Sequence, residues 1–279
     1  MGGFSRKKKL GEMEEPHQEG SGANYIYNHL QRFGLIMHIG RGDTASKSEA
    51  MYFPAIGKNY EDGDTSNFEV ADGFISFTKE FKYLGSMIHY SLKSDVDVNT
   101  RIKKASSVFG AVRHILTAKN IAADIRGNLF ITLVISTLLY GSECWCVSAN
   151  HLRQLQTFFR RCIRSMCRVS LKHTWKHRIS TKTLLERMEL KPITHYLFNR
   201  ILRWTGNVVR QSRKRMPRKM LTAWVPHKRK RGGQELNFGR TLKKALTFKK
   251  IPTEFDKWSK IAIKEPQRWL EMTNVVIWK

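Results

Sequence analysis

The spacing of apolar residues changes once along the chain, near Ser94, and the change divides the sequence into two kinds of structure. Residues 1–24 carry a basic run from Arg6 to Lys9, acids, Gly and Ser, with almost no apolar periodicity. Such a segment buries too little surface to offset chain entropy, which predicts a disordered leader. A short helical pattern over Tyr25 to Phe33 stops at Gly34, and GLIMHIG then reads as a buried strand. After a polar loop, Arg41 to Glu49, AMYFPA (50–55) predicts another strand halted by Pro54. FEV and FISF flank Ala71-Asp72-Gly73 as a hairpin, and FKYLGSMI (81–88) is the last predicted strand.

Beyond Ser94 the period becomes helical. Ser94 or Asp95 is a suitable N-cap for a helix that places Val98, Ile102, Ala105, Phe109, Val112 and Leu116 on one apolar face. A second helix, about 122–140, is hydrophobic nearly all round in its later half and stops at Gly141, which predicts a central position. The third, about 149–169, sets Leu152, Leu155, Phe159, Cys162, Ile163 and Met166 against an opposite face of Arg153, Arg160, Arg164 and Arg168. Two more follow at 181–189 and 192–210, the latter with Pro192 in its first turn and Leu197, Ile201, Trp204 and Val208 inward. From Gln211 the chain is basic and less regular.

The pattern predicts an α+β fold: a disordered leader (1–24), a small mixed region of short antiparallel strands (25–90), a mainly helical domain (91–210) and a basic C-terminal region (211–279). Charge sharpens this division. Residues 1–100 hold 11 basic and 14 acidic side chains, whereas 101–279 hold 39 and 9, so the formal charge of +27 resides in the second part. Residues 151–231 alone carry 23 Lys and Arg against only Glu186 and Glu189. Unbalanced charge on that scale repels itself unless a polyanion binds, which makes nucleic acid the expected partner.

Four clustered cysteines, Cys144, Cys146, Cys162 and Cys167, do not make a disulfide framework, and no signal-peptide pattern precedes them. The expected location is intracellular, in nucleus or cytoplasm. The most apolar run, Leu129 to Tyr140, has 12 residues, short of the roughly 20 a bilayer requires, so no membrane partner is expected. A myristoylation reading of the leader fails because Arg6 stands where Ser or Thr is wanted.

Three segments in order, FGLIMHIGRGDTASKSEAMYF (33–53), FKYLGSMI (81–88) and LLYGSECW (138–145) with LRQLQTFFRRCIR (152–164), resemble the LINE-type (non-LTR) retrotransposon reverse transcriptases. LLERMELKPITHYLFNRILRWTGNVVR (184–210) continues the likeness, which covers most of residues 27–210. The first segment looks like motif D, the second like the primer grip and the third like the helical thumb. The resemblance therefore implies that 25–90 is a partial palm and 91–210 a thumb-like domain of an RNA-directed DNA polymerase. It implies as partners an RNA template, a DNA primer or their hybrid, together with the palm and fingers portion.

The departure from the family concerns the metal site. Such polymerases hold Mg²⁺ on aspartates, normally an Asp-Asp pair just before motif D. No Asp-Asp pair occurs in the 279 residues. Mg²⁺ is accordingly expected for an intact parent enzyme, no cofactor for this chain, and a truncated copy or partial gene model accounts for the pattern. Lys47 matches the motif D lysine, implied to stabilise departing pyrophosphate, yet without a metal site it reads as an idle loop lysine. Phe81, Lys82, Tyr83, Leu84 and Gly85 form the primer-grip match: a cation for phosphate, aromatic bulk and a glycine permitting close backbone approach. The competing reading is an ordinary strand with a turn glycine.

The nucleic-acid candidates are Arg153, Arg160, Arg161, Arg164, Arg168 and Lys172, with the run Lys228, Arg229, Lys230 and Arg231 as a phosphate contact or nuclear-import signal. Against them stands the ordinary solvated helix face. Trp175, Trp204 and Trp224 lie among the basic residues and suit base stacking, Trp204 better suiting the core. Cys162, Cys167, His173 and His177 are zinc-type ligands at a spacing wrong for a finger, with Cys162 on the apolar face, so no metal is assigned. Asp62 with Asp64 and Asp95 with Asp97 read as turn and helix-start carboxylates. The functional expectation is a reverse transcriptase fragment that grips template and primer without polymerising. The alternatives are a non-enzymatic basic nucleic-acid-binding protein and a non-functional transposon relic.

Overall fold

The computed structural model describes residues 19–54, 67–223 and 237–273. The chain is α+β and divides into two compact units, Met1–Phe81 and Lys82–Lys279.

In the first unit a helix, α1 (Glu19–Arg32), packs on a three-stranded sheet of β1 (Glu49–Ala50), β2 (Phe68–Val70) and β3 (Gly73–Phe77) in the order β1-β3-β2. The predicted FEV/FISF hairpin is present, with Phe68 opposite Ile75 and Val70 opposite Gly73. The helix begins six residues before Tyr25, inside the segment expected to be disordered, whose residues 1–18 lie outside the described ones. Tertiary contacts explain the extension: Ala23 and Tyr27 pack on Ile39, Val70 and Ile75, and Asn24 Oδ1 accepts the Ala71 amide at 2.9 Å.

Two predicted strands shrink. Over GLIMHIG only Gly40 reaches the sheet, bridging Phe74, while Leu35 and Ile36 are exposed and burial is confined to Ile39 and Gly40. A continuous apolar run does not specify a strand when only Met37 and Ile39 of its side chains find a core. Likewise AMYFPA contributes Ala50, paired in parallel with Phe77, before the chain leaves the sheet.

FKYLGSMI is not one strand but two. β4 (Glu80–Tyr83), which the unit boundary crosses, pairs with β5 (Ser86–His89). Between them Leu84 (φ 46°) and Gly85 (φ 86°) are both left-handed, the geometry of a two-residue mirror-image turn. The leucine at the first turn position concealed the hairpin, because such turns usually carry Asn or Asp there.

The second unit is helical. α2 (Asp95–Leu116) buries Val98, Ala105 and Leu116, with Ile102, Phe109 and Val112 packed alongside, as its periodicity predicts. α3 (Ala123–Leu129) continues through a π-helical stretch, Phe130–Ile135, into α4 (Ser136–Leu138), and Gly141 (φ 73°) ends the rod. α5 (Ala149–Met166) is capped by Ser148, whose Oγ accepts the His151 amide while His151 Nδ1 accepts the Ser148 amide. α6 (Leu171–Lys176) and α7 (Thr181–Arg187) are short, and α8 (Ile193–Arg210) runs through the middle of the unit.

The sequence past Gln211, read as basic and less regular, forms among its described residues α9 (Met216–Thr222), α10 (Phe238–Phe248), α11 (Phe255–Lys264) and α12 (Pro266–Thr273). All four pack against α8. The frequent lysines and arginines masked their apolar stripes, which supply Leu242, Ala245, Leu246, Trp258, Ala262 and Trp269 to the same core as Leu155, Ile163, Leu197 and Ile201. Gly206 in α8 permits the closest of these approaches, since a Cβ there would overlap the Trp269 indole.

Candidate nucleic-acid interface

The C-terminal halves of α2 and α5 lie side by side, and their ends bring positive charge together. Arg113 of α2 meets Arg161, Arg164 and, just beyond α5, Arg168 around an open cleft of about 540 Å³ that Ser170 and Leu171 also line. Part of this basicity is structural. Helix C-termini carry free carbonyls and a negative partial charge, which cations satisfy. Arg168 Nε donates to Thr117 O at 2.7 Å, and Arg126 Nη1 donates to both Leu116 O and Met166 O, tying α2 to α5. Arg161 reaches Ser106 Oγ at 3.3 Å and lies over the Phe158 ring.

Arg113 and Arg164 have no such occupation. Among the described residues neither guanidinium makes an ion pair or hydrogen bond, although both backbone carbonyls accept amides at their helix ends, and no carboxylate lines the cleft. A second opening of about 360 Å³ shares Thr117 and Arg168 and adds Lys119 and Arg187, so the basic surface continues around the end of α5. Guanidinium groups in excess of their internal partners suit phosphate, which they bind through paired N–H donors.

The α5 arginine stripe is therefore split. Arg161, Arg164 and Arg168 line the cleft; Arg160 lies in another groove with Lys182 and Lys191, its Nε on Gln156 O, and Arg153 is an exposed residue farther toward the N-terminus. Lys172 is exposed on α6, next to Leu171. Lys228, Arg229, Lys230, Arg231 and Trp224 lie outside the described residues. Arg113 went unrecognised in the sequence because its local signal, a cation in the last turn of a helix, says nothing about which helix end it faces.

A second group of interest surrounds the β4–β5 turn. Arg101, buried in α2, donates to Gly85 O at 2.6 Å and lies over the Tyr140 ring, while Tyr140 OH donates to Leu84 O at 3.0 Å. Asp97, also buried, accepts from the Met87 amide and from Trp145 Nε1 at 2.7 Å, with Arg101 Nε 3.7 Å away. This network holds the turn while Lys82, Tyr83 and Leu84 stay exposed at its surface; Phe81 is half-buried at the end of the first unit. Lys47 is an exposed loop residue of the first unit whose amide bonds His38 Nδ1.

The Asp95/Asp97 pair does not fit Mg²⁺. Asp97 is committed to the network just described, and Asp95 accepts from His151 Nε2 at 2.9 Å, an interaction that holds its carboxyl below the usual range. Asp62 and Asp64 lie outside the described residues. The zinc-type set does not converge either. Cys162 is packed in the core, where burial pushes its thiol up to about 12; Cys167 Sγ points to Leu184 O; and the His173 and His177 rings contact each other at a tilt.

No protein-family profile matches the chain, and no solved structure matches it. It is 25% identical over 195 residues, 68% of its own length and 68% of the relative's, to an uncharacterized transposon-derived protein of Caenorhabditis elegans. The similarity points to an origin in a transposable element.

Proposed function

We propose that the chain is the palm-edge and thumb portion of a LINE-type reverse transcriptase, gripping template and primer through the basic cleft between α2 and α5. The observation that carries this reading is Arg113 and Arg164, two guanidinium groups facing one cleft without a carboxylate among the described residues. The relative's transposon derivation agrees with it. So does the β4–β5 turn, held by Arg101 and Tyr140 with a lysine and a tyrosine displayed, as a primer grip requires. The chain alone does not polymerise, since its 279 residues hold no Asp-Asp pair and the described Asp95 and Asp97 are engaged elsewhere. Mg²⁺ chemistry belongs to an intact parent.

Two measurements test this. The purified chain is expected to bind an RNA/DNA hybrid with an affinity that falls steeply with salt, and Arg113→Ala/Arg164→Ala to lower the logarithmic salt slope by about 2. Primer extension with Mg²⁺ and dNTPs is expected to give no product. An unchanged slope removes the cleft from the reading, and robust extension by pure protein refutes the inactive assignment.

A further inference from the structure

Among the described residues, one tryptophan of the helical unit is not where the others sit. Trp145, Trp258 and Trp269 are buried, and Trp204 is half-buried against Phe238. Trp175, in α6, is 86% exposed, and Leu171, one turn before it, is 63% exposed. At a separation of four residues the two share one face of the helix. α6 is nevertheless a fixed element: Ser170 caps it by accepting the His173 amide at 3.1 Å, and Thr174 faces inward. The indole and Leu171 thus form an uncovered apolar pair on a capped helix beside the arginine cleft.

The occupant follows from the surroundings. Leu171 also lines the arginine cleft, so the apolar face begins where the phosphate-binding surface ends. Around Trp175 stand Lys172, His173, Lys176, His177 and Arg178, and no acidic residue occurs in the sequence between Glu143 and Glu186. A ligand that places a flat apolar group on Trp175 must therefore carry negative charge beside it. An unpaired nucleotide has both: a base with a π-face for the indole and a phosphate for the cleft. Duplex bases are stacked inside the helix and cannot reach a side chain lying on the surface.

We infer that the Arg113/Arg164 cleft and the Leu171–Trp175 face form one site for single-stranded nucleic acid or a strand end, with backbone phosphates in the cleft and an unpaired base on Trp175. This rests on the nucleic-acid reading above and adds strand state to it. The arginines supply salt-dependent affinity common to single and double strands, and Trp175 supplies discrimination between them.

The test uses the full chain, a single-stranded oligonucleotide and a blunt duplex of equal length, titrated at several salt concentrations. Trp175→Ala is expected to weaken single-strand binding at least about fivefold, with an unchanged salt slope and less than a twofold effect on the duplex. Trp175→Phe is expected to retain most of the affinity. Arg113→Ala/Arg164→Ala is expected to weaken both ligands and reduce the slope for each. Equal weakening of both ligands by Trp175→Ala, or none, overturns the stacking site while leaving the arginine cleft intact. Absence of binding to either ligand by the unmodified chain overturns both proposals. Circular dichroism of the Trp175 variants, expected to be unchanged for so exposed a side chain, separates loss of a contact from loss of fold.

Discussion

His195 shows how the charge of this protein acts on a single residue. It lies half-buried on α8, with Lys249 Nζ 3.4 Å from its Nδ1 and Lys191 nearby; burial first, and then these two cations, hold its pKa down to about 4. In the unfolded chain an imidazole takes its proton at about 6.5. Between these values the unfolded state binds a proton that the folded state refuses, so the contribution is complete above about pH 6.5 and is lost as pH falls toward 4. Urea unfolding at pH 7 and pH 5 is expected to show a larger loss for the native chain than for His195→Gln. Equal losses would show that the imidazole titrates normally in the fold. Asp97 shows how a buried carboxyl is satisfied where several donors converge on it. One carboxylate there takes the Met87 amide and the Trp145 indole and lies near Arg101, so neither partner is left with an isolated charge.

Among the elements, helix ends are the recurrent surprise. Gly34 and Gly141, both with positive φ, stand as the sequence predicts. Four other helix ends place a charged residue in the left-handed region: Arg168, Arg178, Glu189 and Lys250, with φ between 47° and 56°. In each, the following apolar residue sends its amide back to a carbonyl in the last turn: Val169 to Arg164, Ile179 to Thr174, Leu190 to Leu185 and Ile251 to Leu246. Leu190 and Ile251 are buried, and Val169 and Ile179 pack against the core. A non-glycine residue in this region costs on the order of 1–2 kcal/mol, offset here by docking the next side chain. Glu189 is exposed. Glu189→Gly is therefore expected to raise stability by about 1 kcal/mol, less what glycine gives back through unfolded-chain entropy. Thermal unfolding reads this directly, and a lower melting temperature would mean that the Glu189 side chain supports the turn.

On the scale of the whole molecule, the C-terminal helices belong to the helical unit rather than trailing from it. Val147 donates its amide to Thr241 Oγ1, Trp269 Nε1 donates to Leu202 O, and Trp258 lies 5.9 Å from Trp269. A chain ending at residue 223 loses these contacts and leaves one face of α8 bare. It is expected to lose the cooperative thermal transition of the helical unit and much of its helical circular dichroism. A truncated chain that melts like the full one would show the last helices to be dispensable.

Much of this was legible in order. Period located α2, α5 and α8 because a helix that buries one stripe must repeat apolar residues at three and four. The charge split pointed to the helical part, and the Arg161, Arg164 and Arg168 portion of the cleft lies on or just past one such helix. Tertiary structure alone decided the rest. Leu35 and Ile36 look like strand residues but find no cover, whereas Asn24 and Tyr27 order a helix by contacts with residues far along the chain. Arg113 joins the cleft only because α2 packs against α5, and Trp175 matters only because α6 leaves it exposed. A sequence specifies which side chains are apolar and at what spacing. Which charges are left without partners, and which apolar groups without cover, depends on residues remote in the chain and is settled when the helices pack.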